Sequence, residues 1–431
     1  MSDRLSRENP DRVVRENMRI RVDGRLTQRT ALWVLARIRE VTSAGGQDEL
    51  ILDFERCTRA WPDGMCTLVC EVARLRGAGY EFDLIIPRDE TLQRLFMNAN
   101  WAHFIAPGRY EPFDMRTPFH LPATWYDAGS HKEIVDQIVE IVMGSMEIER
   151  PVLAGLEWSV NEITDNVLNH AESPRGGLVQ VVTQRENRRI QFVVADGGRG
   201  VLASMRDGFP HLRDDAEAIG EAVKQGVTRN PEIGQGNGLA GTLRIAALSN
   251  GSFSILSGQA FFSVYPNAAT GEHGDHMSRL AQPERFDGTV VTADFDSSAP
   301  LRLQEALGFK DDWEPFDMID AAYLSSDGQR LTIQLRNETA GFGSRIAGEQ
   351  VRAKCLNLLR GEPSIPLILD WAGVPLVSSS FADEAIGKLF LELGPLAFGS
   401  RLHNVNMEPL VRSLIERAIL QRMAHQQQGG L

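Results

Sequence analysis

Cysteine is scarce in this chain: Cys57, Cys66, Cys70 and Cys355 are the only four among 431 residues. They form no CxxC pair, and no histidine stands at metal-ligand spacing from them. A disulfide framework or zinc ribbon is therefore disfavoured, and buried reduced thiols of a cytosolic protein are expected. Long apolar runs are missing too. No stretch reaches the length that crosses a bilayer, and residues 1–16 are polar and of mixed charge, without the apolar centre of a secretory signal. A cytoplasmic location with no membrane partner is expected. Positive charge is in deficit: 45 Lys and Arg face 58 Asp and Glu, a formal net charge of -13. Such a surface repels phosphate backbones, so nucleic acid is disfavoured as the main partner. What is present suffices for real cores, at 42% hydrophobic and 24% charged residues. The length predicts two or three domains.

Three blocks emerge between turn-rich stretches. The first, residues 19–107, alternates strand and helix. It predicts a strand over 18–22, a helix over 27–41, the buried strand Leu50-Ile51-Leu52-Asp53-Phe54, a helix over 64–75 and a strand over 82–86. A proline-rich linker, 106–122, closes it. The second block spans 128–295 and the third 316–423, followed by a Gln/Gly-rich tail expected to fray. The class is α/β (α+β), with domains at 1–120, 121–300 and 301–431. The outer blocks resemble each other. Leu367-Ile368-Leu369-Asp370-Trp371 is the counterpart of the strand ending in Asp53, and helices begin after both, at Asp63-Gly64 and at Ser380-Phe381. An internal repeat of one fold is predicted.

The middle block carries the chemistry. A helix predicted over 156–171 has an apolar stripe, Leu156, Val160, Ile163 and Val167, and beside it Glu162, Asn166 and His170 at four-residue spacing. A helix stacks such residues on one face. The strand Gln191-Phe192-Val193-Val194-Ala195 runs into Asp196-Gly197-Gly198-Arg199-Gly200. There the carboxylate can accept from an exocyclic amine, and the glycines allow backbone to approach a planar base. Further on, Gly234-Gln235-Gly236-Asn237-Gly238-Leu239-Ala240-Gly241 opens a helix and offers bare N–H groups to phosphates. Phe286-Asp287-Gly288-Thr289 then heads a strand, with a hydroxyl placed to meet a phosphate oxygen.

In that order these segments resemble the GHKL ATPase superfamily of gyrase, the heat-shock chaperone, histidine kinases and MutL. Glu162-x-x-x-Asn166 is similar to its N box, Asp196-x-Gly198-x-Gly200 to its first glycine box, Gly234-x-Gly236-x-Gly238-Leu239 to its second, and Phe286-x-Gly288-Thr289 to its closing strand. The resemblance covers about 170 residues and implies a Bergerat-type α/β sandwich that binds Mg-ATP. Glu162 would polarise the group attacking the γ-phosphate, Asn166 would be the protein ligand to Mg²⁺, and Asp196 would hold the adenine amine. Residues 201–233 would form a lid, hinged and cradled at Gly234, Gly236 and Gly238, in which Lys224 and Arg229 either meet phosphates or face solvent. Thr289 would touch a phosphate oxygen. His131, with Lys132-Glu133 after it, does not resemble a histidine kinase's phosphoacceptor box and reads as an ordinary helix-start residue. Glu162-Ile163-Thr164-Asp165-Asn166 with His170 looks more like the anti-sigma-factor serine-kinase branch, which phosphorylates a serine on a STAS partner.

The outer blocks in turn resemble STAS domains, the third one STAS-like domains of unknown function that follow GHKL modules. Where the family carries its phosphorylatable serine, the first copy has Asp63 and the third has Ser380, the best phosphoacceptor candidate in the chain. Each position also suits a plain helix cap, and the cap is the favoured reading at both Asp63 and Ser380. The resemblance implies an ATP-binding regulatory protein acting on a protein partner or by self-association as a homodimer. Three activities stay open: serine/threonine kinase, slow ATPase clamp, and non-catalytic ATP-sensing scaffold.

Overall fold

Alternating burial along β2 (Arg19–Leu26) turns Ile20 and Val22 inward and leaves the intervening arginines part-exposed, the period of a half-buried strand. The computed structural model describes residues 11–44, 48–113, 119–224, 238–266, 273–307, 322–325, 328–339 and 341–428. Within them the chain builds three sheets in a mixed α/β fold.

In the N-terminal sheet β2 lies beside β3 (Glu49–Asp53), which lies beside β5 (Glu81–Ile85), all parallel. β1 (Arg12–Glu16) adds an antiparallel edge and β4 (Cys57–Ala60) pairs with the far end of β2. The crossovers are α1 (Gln28–Ala44) and α2 (Pro62–Gly77), and α3 (Glu90–Asn98) and α4 (Trp101–Ile105) follow. The strand predicted over 18–22 extends to Leu26, and β1 was not foreseen, because its Arg-Val-Val-Arg-Glu sequence buries little as an edge. The helix predicted over 64–75 starts earlier, at Pro62, where the missing N–H costs nothing.

The central sheet has seven antiparallel strands in the order β11-β10-β9-β12-β8-β7-β6. In chain order these are β6 (His120–Tyr126), β7 (Gly177–Gln184), β8 (Arg189–Asp196), β9 (Ser252–Gly258), β10 (Ala260–Pro266), β11 (His273–Arg279) and β12 (Phe286–Asp296). α5 (His131–Ser145), α6 (Arg150–His170) and, after the short α7 (Gly200–Met205) and α8 (Asp215–Ala222), α9 (Gly238–Leu248) cover one face. α2 of the N-terminal unit covers the other. Along β8, Ile190, Phe192 and Val194 join the core under the central helices, while Val193 and Ala195 join the core shared with α2. Both faces are dry. That is why Phe192 to Ala195 reads as a continuous apolar run, unlike the alternation usual in antiparallel strands with one wet face. The polar Gln180 on the α2 side of β7 is buried, and its Oε1 accepts from Trp101 Nε1 at 2.9 Å and from Cys66 Sγ at 3.5 Å.

The C-terminal sheet is parallel, β13 (Leu331–Gln334), β14 (Leu367–Asp370) and β15 (Leu402–Val405) in that order. Helix Arg345–Gly361 crosses from β13 to β14. Helix Ser379–Ala382 continues through a π turn, Asp383–Gly387, into helix Lys388–Arg401, and helix Pro409–Gln428 follows β15. Strand order and direction match β2, β3 and β5. The matched aspartates also make the same turn: Asp53 Oδ1 accepts from Glu55 N and Asp370 Oδ1 from Ala372 N, both at 2.9 Å. This unit docks on α5 through helix Arg345–Gly361, whose buried Asn357 donates to Met143 O (2.9 Å) and Met146 O (3.1 Å) and accepts from Ile148 N (3.0 Å). Among the described residues no helix is long and apolar enough to cross a membrane, and the four cysteines are buried and unpaired.

Candidate functional site

The helix predicted over 156–171 begins six residues sooner, as α6 from Arg150 to His170. Ile163 and Val167 face the core. Two contacts fix its rotation at buried Thr164: Tyr126 Oη donates to Thr164 O at 3.1 Å, and His131 Nε2 bonds Thr164 Oγ1 at 2.7 Å. His131 is thus more than a helix-start residue. It is the first residue of α5 and holds the helix that carries Glu162 and Asn166.

Those two side chains meet the start of α9. A side-chain carbon at Gly238 would stand 2.8 Å from Glu162 Oε2 and 3.1 Å from Asn166 Nδ2, so a larger residue there would push the ends of these two side chains aside. Glu162 is half-buried, and burial, reinforced by the nearby Asp165 charge, pushes its carboxyl above the ordinary value.

At the end of β8, Asp196 is 3% exposed. Its Oδ1 accepts from Gly198 N at 2.8 Å, but burial dominates and raises the carboxyl to about 7. Antiparallel pairing sets Thr289 of β12 directly across from it. The turn after Asp196 is pinned to the end of α6 by Arg199 N donating to Ala171 O at 2.8 Å. A carbon on Gly198 would fall 2.0 Å from that same carbonyl, and Gly200 adopts φ +75, a conformation that disfavours other residues. Ser257 ties the pieces together. Its Oγ accepts from Val201 N (2.9 Å), donates to Gly288 O (2.9 Å) and lies 3.4 Å from Thr289 Oγ1. Sequence reasoning passed over Ser257; the available signal was a buried hydroxyl in an apolar strand.

Asn166, His170, Asp196, Gly200, Leu239 and Thr289 line one cavity of about 100 Å³, closed by apolar side chains that include Val194 and Ile255. Its size suits a planar ring rather than a whole nucleotide. Glu162 stands beside it at Gly238, which follows directly on residues 225–237. Gly234, Gly236 and Arg229 lie outside the described residues. Lys224 is exposed and paired with Glu221 at 2.6 Å, away from the cavity lining. A mostly apolar slot with Asn166, His170, Asp196 and Thr289 in its lining can orient a small ring through a few polar contacts.

The two repeat positions differ from the cap reading. Asp63 is not the N-cap of α2: Trp61 is, with no side-chain bond, and Asp63 sits one residue past Pro62, accepting from Gly64 N at 2.8 Å. Ser380 is exposed in the first turn of its helix, whose cap is Ser378, Oγ accepting from Phe381 N at 3.0 Å. Neither Asp63 nor Ser380 is the cap expected there, because a proline and a run of three serines each offer several starts for a helix.

An α/β protein of three sheets, with a buried carboxyl in the lining of a central slot, is the class these observations define. The profile of a STAS-like domain of unknown function (DUF4325) matches residues 347–412, from the docking helix through β14 and β15. No curated protein matches the chain.

Proposed function

We propose that the chain is a Mg-ATP-binding regulatory protein whose central unit is a GHKL-type module set between an N-terminal STAS-like unit and the C-terminal STAS-like domain. The observation that carries this reading is the convergence of Asn166, Asp196, Gly200, Leu239 and Thr289 on one slot, with Glu162 at its edge. The buried Asp196 carboxyl fits the adenine amine, a donor that would pair with its free oxygen. The amide oxygen of Asn166 fits a hard cation, which prefers oxygen ligands. Bound Mg²⁺ would supply charge neutralisation on the triphosphate. For their part, Asn166 would orient the phosphates, Thr289 would donate to one of them, and Glu162 would take a proton from the attacking hydroxyl or water.

The flanking units make this a regulator. STAS-like domains often mediate protein interaction, and α2 lies against the back of the Asp196 turn: Gly197 sits 3.5 Å from Cys70 O measured from its would-be side-chain carbon. Nucleotide on one side of Asp196 and the N-terminal unit on the other share a single loop. Transfer to exposed Ser380 of another copy, or to a serine of a STAS partner, is the kinase form of this reading.

Mass spectrometry of the purified chain with Mg-ATP tests it. One nucleotide per chain, lost in Asp196→Ala, is expected, with phosphate on Ser380 if the protein is its own kinase substrate. Absence of any nucleotide adduct at saturating Mg-ATP would sink the reading. Bound nucleotide with neither phosphate release nor transfer would leave the sensing scaffold, and an ATP-dependent doubling of mass would favour the clamp.

A further inference from the structure

A second cleft lies on the opposite side of the Asp196 turn. It has a volume of about 780 Å³ and runs between α2 and α4 of the N-terminal unit and Trp125, Arg175 and Gly197 of the central unit. Its wall gathers Arg74, Arg76, Arg175 and His103 in a chain whose net charge is -13. Arg74 is neutralised by Glu71, Nε to Oε2 at 2.9 Å and Nη2 to Oε1 at 2.8 Å. Arg76 is held by carbonyls, with Nη1 donating to Phe104 O at 2.8 Å and Nη2 to Ile105 O. Arg175 is exposed and lies over the Trp125 ring, 5.4 Å from its centroid. Among the described residues no carboxylate lies within ion-pair distance of Arg76 or Arg175. Burial weakens the hold of Arg76 on its proton; the nearby Glu81 charge opposes this and the Arg175 charge adds to it. Trp125 Nε1 is buried without an acceptor. Two guanidinium groups with no described carboxylate at ion-pair distance, beside an unused indole donor and the Phe104 ring, form a lining that an anion would complete.

We propose that this cleft is an effector site for a small phosphorylated molecule. Its phosphate would sit on Arg76 and Arg175, and its apolar part against Trp125 and Phe104. The volume falls in the range of small-ligand sites, roughly 300–1000 Å³. Because Gly197 forms part of the wall and follows Asp196 directly, the occupant would brace the loop shared with the central slot from behind. The site stands whether or not the central slot takes ATP.

The test uses the full chain in titration calorimetry, with inorganic pyrophosphate and AMP as probes and adenosine as the uncharged control. Saturable binding of both phosphorylated probes is expected, weakened tenfold or more in Arg175→Gln and by added salt, and unchanged in Asp196→Asn. Arg175 is exposed, so its replacement leaves the fold intact; matching thermal melts verify this. A probe that still binds Arg175→Gln but not Asp196→Asn is in the central slot, and the proposal falls. It falls equally if no phosphorylated probe saturates. Binding of a phosphoserine peptide alone, with no response to the small probes, would also overturn the small-ligand assignment.

Discussion

The two flanking units share a parallel three-strand order and an aspartate turn at the end of the middle strand, yet they attach to the central unit by different helices. In the N-terminal unit the helix after that aspartate, α2, is the docking element, and residues 64–73 along it are buried. In the C-terminal unit the corresponding helix begins with exposed Ser379 and Ser380, and the preceding crossover, Arg345–Gly361, makes the contact with α5. One topology therefore offers two faces to a neighbour, and the face chosen decides which position stays within reach. Docking through α2 commits the first copy to packing. Docking through the crossover leaves the start of the Ser379 helix open.

The largest expected effect comes from charging α2 where it meets the central sheet. Cys70 is buried, and burial together with nearby acids, Asp196 among them, drives its thiol far above the ordinary range. Cys70→Asp would place an uncompensated charge there and should cost about 3–5 kcal/mol. Because the core is shared, the N-terminal and central units should lose stability together in denaturant unfolding followed by two probes. Separate transitions, with the central one unmoved, would break the comparison.

Asp196 gives the next effect, read as a pH profile. Its carboxyl titrates near 7 when folded, against about 3.9 in an unfolded chain. The folded state thus holds the proton more tightly. The stability this contributes is fully present below about pH 4 and is lost as pH rises through about 7. Asp196→Asn should therefore gain on wild type across that window, on the order of a few kcal/mol, in melts run at each pH. If nucleotide binds as proposed, its amine favours the ionised form. Wild-type affinity should then fall as pH drops below 7, up to about tenfold per unit, and the Asn variant should show no such slope.

A smaller effect separates the two helix starts. Ser378 caps its helix through Phe381 N, whereas α2 begins at Trp61 with no side-chain cap and relies on Pro62 and packing. Ser378→Ala should cost about 1 kcal/mol by thermal denaturation. Trp61→Ser, at the uncapped start, should recover part of that amount for α2; a loss instead would mean that Trp61 contributes packing.

How much of this was legible beforehand follows from the physics of each element. The strands ending in Asp53 and Asp370 stood out because buried parallel strands are apolar throughout, and the four-residue spacing of Glu162 and Asn166 survives any change in helix ends. The same apolar run in β8 hid a fact, that its second face is covered by a helix from another unit. Periodicity reports burial but not the covering element. Gln180, a polar residue in Leu178-Val179-Gln180-Val181-Val182, was the one trace of that contact. The positioning roles of His131 and Ser257 depend on partners 33 and 31 residues away, Thr164 and Gly288, which no local pattern records.

Charge at the repeat position gives the smallest effect and the sharpest contrast. Ser380→Asp adds a carboxylate to an exposed first turn, where the helix dipole favours it, so stability should shift by no more than about 0.5 kcal/mol. The same exchange in reverse, Asp63→Ser, acts on a half-buried carboxyl that burial pushes up. Removing it takes away a group that resists ionisation in the folded state, so the variant should be less sensitive than wild type to a rise in pH, while Ser380→Asp leaves the pH profile of melting unchanged. Equal pH responses from the two substitutions would mean that both helix starts see the same surroundings. Docking through different helices would then have no consequence at the position where the copies differ, and exposed Ser380 would lose its claim to be the reachable one.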